Sequence, residues 1–488
     1  MNTHALLRIF TPGGIISHDQ LTHVINISKK FNVRSVQFGL RQDINLLVER
    51  HQIDDLKLFL NVLEFDYEFN TDWSRNIVTS YVANGIFPSE TWLTEGTYLD
   101  ILDTFDYKPT MRVNIVDPNQ GLVPLFTGHF NFIASKTNNY WHLYLDVPKW
   151  FNDVTAWPML IYSDDISKIA HHLENIHNMS NTLDFSYENS SPELTLTRLA
   201  EKINELVPGN NRRVEQPLKV PFAPLPYYEG MNKLGNKYWL GIYKRSYQFP
   251  IDFLEAISEV CYKESINKIC VTPWRSILIK DIKESAWLKW IKLLGKYSIN
   301  IRHSSLELNW RLPDFDKSAI EIKQYLVNEF DRKDIRTYGL TFAIRTPKVD
   351  LDAIIVIEKL PTRSTFMTKQ YMGNFNIYFS KNFEINQKDY ILFAKNITYS
   401  SLPQKLQELT SIYYEIQNAP NEEEKLKATP IEKEKELIYR CIHCLTTYNQ
   451  EYGDETNKIP TGTSFAKLPD SFRCPVCDAP KKDFDLLK

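Results

Sequence analysis

Gly128-His129-Phe130-Asn131-Phe132-Ile133-Ala134-Ser135-Lys136 is answered, without a gap, by Gly373-Asn374-Phe375-Asn376-Ile377-Tyr378-Phe379-Ser380-Lys381. Five of the nine positions are identical and a sixth exchanges Phe for Ile, which points to internal duplication. A second echo lies upstream in each half. There Val36-Gln37-Phe38-Gly39-Leu40-Arg41-Gln42 matches Cys270-Val271-Thr272-Pro273-Trp274-Arg275-Ser276 in pattern. The two offsets differ by about ten residues, which suggests one repeated unit of two parts.

Each unit begins with a helix and then a strand. Ser17 and Gln20 form a capping box, Leu21, Val24, Ile25 and Ile27 fall on one face, and the strand 33–40 follows. In the second copy Pro250 opens a helix with Phe253, Leu254, Ile257 and Val260 inward, before the strand 268–272. Later stretches rich in β-branched and aromatic residues, 140–147 and 390–397, read as further strands. The fold class is therefore α+β in both halves. Residues 416–436 are charged, proline-punctuated and nearly free of aromatics, which predicts a linker.

A chain of 488 residues exceeds what one core usually serves. Its formal charge of −3 provides no broad basic field, so nucleic acid is not an expected partner. The N-terminal MNTHALLRIFTPGG has no basic start followed by an apolar core, and no later run is long enough to span a membrane, so the expected location is the cytoplasm. Four of the six cysteines crowd into the last fifty residues as two C-x-x-C pairs. That is metal spacing, not a disulfide framework.

Four thiolates in two such loops, Cys441, Cys444, Cys474 and Cys477, suit a tetrahedral soft-ligand metal, and geometry alone leaves iron and zinc open. Around them stand Tyr439, Tyr448, Gly453-Asp454, Ile459, Gly462-Thr463-x-Phe465, Leu468-Pro469-Asp470, Phe472, Pro475 and Lys481-x-x-Phe484. Residues 437–488 thereby resemble rubredoxin throughout, which implies one redox-active iron (Fe2+/Fe3+), with zinc as the alternative. The aromatics would form a compact core stapled by the metal. The family's glycine after each C-x-x-C is replaced by Leu445 and Asp478, and leucine tolerates the expected positive φ poorly. A usual tryptophan is Phe472, and a usual aromatic is Thr446.

The doubled body is similar to the siroheme-dependent nitrite and sulfite reductases and the related precorrin-3B synthases. The residues that carry the likeness are Arg41-Gln42, Thr272-Pro273-Trp274-Arg275 and the two Gly-x-Phe-Asn segments. The resemblance implies a division into 1–85 and 216–312 as ferredoxin-like half-domains, 86–215 and 313–415 as α+β reductase-like domains, 416–436 as linker and 437–488 as the rubredoxin-like domain. It also implies Arg41 and Arg275 as ligands of siroheme carboxylates or an anionic substrate. Against this stands the absence of any cysteine between Cys270 and Cys441, where the family holds its [4Fe–4S] ligands and the thiolate shared with the haem. His129 and Asn374 stand where the family has lysine-rich positions. Siroheme and the cluster are accordingly not expected, and no residue is assigned a catalytic role.

Two further groups read as structural. Cys261 and Cys270 align with Ile27 and Val36 and are expected to be buried apolar substitutes. His171, His172 and His177 have spacings that do not share a helical face, which suggests a solvated helix surface. No phosphate loop, dinucleotide fingerprint or nucleophile elbow occurs. The expected function is non-catalytic electron transfer, with a nitrite or sulfite reductase or a flavoprotein reductase as redox partner. The alternatives are a siroheme-type oxidoreductase and a binding module with a structural zinc.

Overall fold

The computed structural model describes residues 3–71, 74–87, 89, 91–179, 191–222, 224–346, 349, 351–361, 374–387, 389–418, 438–450, 452–454 and 456–486. Its contacts divide the chain into two units, Met1–Tyr413 and Tyr414–Lys488. Gly373 of the echo and residues 419–436 of the expected linker lie outside the described residues.

The first unit opens with β1 (His4–Ile9), β2 (Ile15–Ser17), α1 (His18–Lys30), β3 (Ser35–Phe38), β4 (Ile44–Glu49), α2 (Ile53–Val62) and β5 (Tyr67–Phe69). The capping box forms as expected, with Ser17 Oγ accepting from Gln20 N and Gln20 Oε1 from Ser17 N. A six-stranded sheet follows, with β6 (Val78–Thr79), β7 (Val113–Val116), β8 (Phe130–Ala134), β9 (Tyr140–Leu145), β10 (Thr155–Tyr162) and β11 (Arg212–Arg213). Its helices are α3 (Glu95–Asp103), α4 (Ile166–Met179) and α5 (Pro192–Leu206).

The second half repeats the plan with β12 (Gly230–Leu234), β13 (Lys237–Ile242), β14 (Phe249–Pro250), α6 (Ile251–Lys263), β15 (Lys268–Val271), β16 (Ile277–Lys283) and α7 (Trp287–Lys296). Then come α8 (Ser305–Leu308), β17 (Trp310–Arg311), α9 (Lys317–Arg332), β18 (Phe342–Arg345), β19 (Ile355–Lys359), β20 (Asn374–Ser380), β21 (Tyr390–Thr398) and α10 (Leu402–Asn418). Pro250 is the N-cap of α6 rather than its first residue. Helix α10 continues through the first three residues of the expected linker.

The halves exchange their edges. In the sheet β14-β3-β4-β1-β5 the strand β14 comes from the second half, and in β12-β13-β16-β15-β2 the strand β2 comes from the first. Both donated strands directly precede a helix, α6 and α1, and those helices pack within one shared core containing Leu21, Val24, Leu254 and Ile257. Each half thus completes the other's sheet, so neither half satisfies its strand edge alone.

Register fixes the internal alignment. Val36 opposes Phe249 while Ile269 opposes Ile16, and Phe38 opposes Ile44 while Val271 opposes Ile277. Gln37 is therefore the counterpart of Cys270, Ser28 of Cys261, and Gln42 of Arg275. The upstream echo is real but one residue out of register. Gln42 and Arg275 share a backbone state, φ 60° and 58°, which corroborates the corrected pairing.

The downstream echo is not a repeat. Sheet β11-β10-β9-β8-β7-β6 and sheet β17-β18-β19-β20-β21 both have two parallel pairings and then antiparallel ones, so β8 corresponds to β19 and β9 to β20. Phe130–Ala134 and Asn374–Ser380 therefore occupy non-equivalent strands. Their likeness follows from a shared task. Each carries an inward aromatic beside a buried asparagine bonded to its surroundings, Asn131 to Gly128 and Asn376 to Glu358.

The second unit is a three-stranded antiparallel sheet of β22 (Tyr439–Cys441), β23 (Thr447–Tyr448) and β24 (Phe484–Leu486), in the order β23-β22-β24. Tyr448, Leu468, Phe472 and Phe484 form its core. Phe465 stacks on Tyr439 at 3.9 Å. Among the described residues no helix is long and apolar enough to cross a membrane.

Candidate metal centre

Strand β22 delivers Cys441 into the first loop, and Phe472, anchored in the core, delivers Cys474 into the second. The sulfurs of Cys441 and Cys477 are 3.6 Å apart and those of Cys444 and Cys474 are 3.4 Å apart. All four sulfurs lie within 4.8 Å of one another. A tetrahedral tetrathiolate site with bonds of ~2.3 Å has sulfurs about 3.8 Å apart, so these four are placed to close on one ion. Among the described residues this is the only group with such convergence.

The two loops have one geometry. Leu445 N–H donates to Cys441 O at 3.0 Å and Cys441 N–H to Thr446 O at 2.9 Å. In the second loop Asp478 N–H donates to Cys474 O at 2.9 Å and Cys474 N–H to Ala479 O at 2.8 Å. Leu445 and Asp478 both adopt positive φ, 64° and 59°, as their places after each C-x-x-C require. The backbone N–H of Thr446 faces the Cys444 sulfur, and that of Ala479 faces Cys477.

The loops differ at one side chain. Thr446 Oγ1 lies 3.2 Å from Cys444 Sγ, whereas Ala479 has no side chain to match it. The Thr446 hydroxyl, and then its N–H, pulls the Cys444 thiol down to about 6. At Cys477 the Ala479 N–H favours the thiolate, but Cys444, desolvation and the other sulfurs outweigh it and push the thiol up to about 12. Four thiols gathered in this way are a set that binds a cation in place of their protons. The sequence signal for Thr446 was present as a missing aromatic, but its bond to sulfur was not legible from it.

In the body Arg41 and Arg275 are both buried. Arg41 donates to Thr127 O, Asn76 O, Val113 O and Asn114 Oδ1 at 2.8–3.2 Å. Arg275 pairs with Asp314 at 2.7 Å and donates to Leu312 O and Gln37 Oε1. Asp314 also takes Arg8 at 2.6 Å, and Asp43 lies 3.6 Å from the same guanidinium. Burial would raise the Asp314 carboxyl, but Arg275 and Arg8 hold it below the usual range. A Cβ at Gly39 would stand 1.7 Å from Asp43 Oδ1, so only glycine fits the turn that carries this carboxylate. Gln42, the counterpart of Arg275, makes the equivalent stitch in the first half, bonding Thr79 O, Thr79 N and Val271 O.

The remaining candidates serve the fold. Cys261 and Cys270 are buried, and burial pushes their thiols up to about 12 and about 11. His129 Nδ1 accepts the Arg112 N–H. Two of the α4 histidines, expected on a solvated surface, pack against rings instead. His171 stacks on Tyr107 at 4.2 Å and His177 meets Trp150 edge-on at 5.8 Å. The siroheme assembly, with its thiolate bridge, is not matched by these residues. The body's two thiols are buried, which raises them, and the terminal N–H groups of Arg41 and Arg275 already have acceptors, although among the described residues the Nε of each has none.

Comparison with known proteins separates the same two units. The NirA protein of Mycobacterium tuberculosis superposes with a TM-score of 0.59 at 15% identity, covering 82% of this chain and 79% of that one, which shows a shared fold. Rubredoxin-2 of Chlorobaculum tepidum is 52% identical over 46 residues, which are 9% of this chain and 88% of that protein. Rubredoxin-2 of Desulfovibrio desulfuricans is 43% identical over 56 residues, 11% of this chain and 90% of that protein. The rubredoxin family profile matches residues 438–484, the span that contains all four converging cysteines. Through this C-terminal domain, carried on a NirA-like body, the chain belongs to the rubredoxin family.

Proposed function

We propose that the protein is a one-electron carrier in which the four cysteines hold a single iron and the body, which carries neither siroheme nor a [4Fe–4S] cluster, serves as a docking module. The observation that carries this reading is the convergence of four sulfurs within 4.8 Å in two loops of one geometry. Bound there, iron would supply a reversible one-electron couple. The chain's own part is to hold four thiolates and to direct the N–H groups of Thr446 and Ala479 at sulfur, which favours the more negative, reduced state. We place the domain divisions at 1–85, 86–215, 216–312, 313–415, 416–436 and 437–488, and the protein in the cytoplasm. Its redox partner would be a nitrite or sulfite reductase or the flavoprotein that feeds one. Arg41 and Arg275 are proposed to be remnants of an anion site now closed by internal acceptors.

The test is the visible spectrum and metal content of protein purified aerobically from its own host. One iron per chain, with thiolate charge-transfer bands that bleach with dithionite and return in air, is expected. Stoichiometric zinc from that source would overturn the electron-carrier reading. Acid–acetone extraction should recover no siroheme, and recovery near one per chain would overturn the reading of the body.

A further inference from the structure

A cavity of about 990 Å3 opens in the first half of the body, at the edge of the sheet that ends in β11. Lys136, Arg212, Arg213 and Lys219 line it, and among the described residues Glu215 is the only carboxylate in its walls. None of these four cations forms an ion pair among the described residues. Such a concentration of positive charge is notable in a chain whose formal charge is −3. All four are exposed on the cavity rim, with Arg212 also lying over the Tyr140 ring at 4.6 Å, and like charges gathered around a concave space attract an anion.

The floor of the cavity is a single row across three strands. His142 on β9 opposes Leu160 on β10, and Leu160 opposes Arg212 on β11, so the three side chains project from one face. His142 is only 8% exposed, has no hydrogen-bond partner among the described residues, and borders the cavity. With no partner among the described residues, its ring nitrogens are not sealed in the core but face the cavity, where a bound group can meet them. Trp92, Leu160, Pro217 and Leu218 give the same space an apolar and aromatic wall. Trp92 has its own N–H satisfied by Ser135 O at 2.8 Å. Its ring is therefore a packing surface, not a donor in search of a partner.

From this pairing of a cationic rim with an aromatic wall around an unpartnered histidine, we propose that the cavity binds a phosphorylated organic anion of nucleotide type. The charged groups take Arg212, Arg213, Lys136 and Lys219, and a ring packs against the Trp92 side. Recognition is by side chains, consistent with the absence of a glycine-rich phosphate loop. The site is separate from the cysteines and does not rest on the electron-carrier reading.

Isothermal titration calorimetry of the full chain with ATP, pyrophosphate and adenosine tests it. ATP should bind, pyrophosphate more weakly, and ATP affinity should fall as salt rises. The double variant Arg212→Gln/Arg213→Gln should weaken ATP by about tenfold or more. Lys136→Gln/Lys219→Gln, altering a different wall, should also weaken it. His142→Phe should lower affinity further while the thermal transition of the body stays in place. ATP affinity unchanged in both double variants, adenosine binding as tightly as ATP, or no binding of ATP at all would each overturn the proposal.

Discussion

In the C-terminal unit four thiols face one another, while in the body the guanidinium groups of Arg8, Arg41 and Arg275 are surrounded by acceptors of the same chain. The contrast shows how a protein declares whether a site is finished. Sulfurs 3.4–3.6 Å apart give one another little, since thiols are weak donors and acceptors, so their convergence has a purpose only with an ion. The arginines have acceptors in the chain for their terminal N–H groups, although among the described residues the buried Nε of each has none. Asp314 answers two of them, and backbone carbonyls answer the third.

Breaking the metal side of the comparison should have the largest effect. Cys474→Ser is expected to abolish stoichiometric metal and unfold the rubredoxin domain, on the order of 10 kcal/mol of binding-linked stability. Calorimetry should then show the body's transition at its original temperature. Joint loss of both transitions would mean that the units are coupled.

On the other side, Asp314→Ala leaves Arg8 and Arg275 buried without their shared carboxylate and should cost about 3–5 kcal/mol, read from the urea midpoint. The pH dependence has a definite sign. Because the folded Asp314 carboxyl titrates below the ordinary range, its contribution is present above the unfolded value of ~3.9 and is lost as pH falls through the folded value. The gap between wild type and Asp314→Asn should therefore narrow on acidification below that window. A gap that widened would mean that Asp314 is not the charged member of the cluster.

Smaller changes sharpen the comparison within the metal site. Leu445→Gly should stabilise the domain by about 1 kcal/mol, because leucine at φ 64° is strained and its side chain is exposed. Slower iron loss to a chelator would be the readout. Thr446→Val removes the hydroxyl beside Cys444 and should lower the reduction potential by about 20–40 mV, the equivalent of half to one hydrogen bond for a one-electron couple. Ala479→Ser, placed at the equivalent position of the other loop, should shift it in the opposite direction. Spectroelectrochemistry measures both, and no shift in either would show that the two loops are electronically indifferent to side-chain donors.

The sequence by itself determined what is local. The Ser17–Gln20 box, the start of α6 at Pro250 and the two C-x-x-C loops are each written within a few residues, because capping, turn chemistry and metal ligation act over that range. Even the positive φ at Leu445 and Asp478 followed from their place after the second cysteine of each loop. What only the tertiary structure decided is pairing across distance. A one-residue slip in the upstream echo passed unnoticed in the sequence, because the slipped alignment matches Arg41 to Arg275, whereas strand register fixes Gln37 opposite Asn45 and Cys270 opposite Leu278. The nine-residue likeness of β8 and β20 misled for the opposite reason, since strands with similar packing duties converge on similar residues. The fate of Arg8 and Arg275 was set by an aspartate 306 residues away from the first of them, a contact that no local pattern encodes.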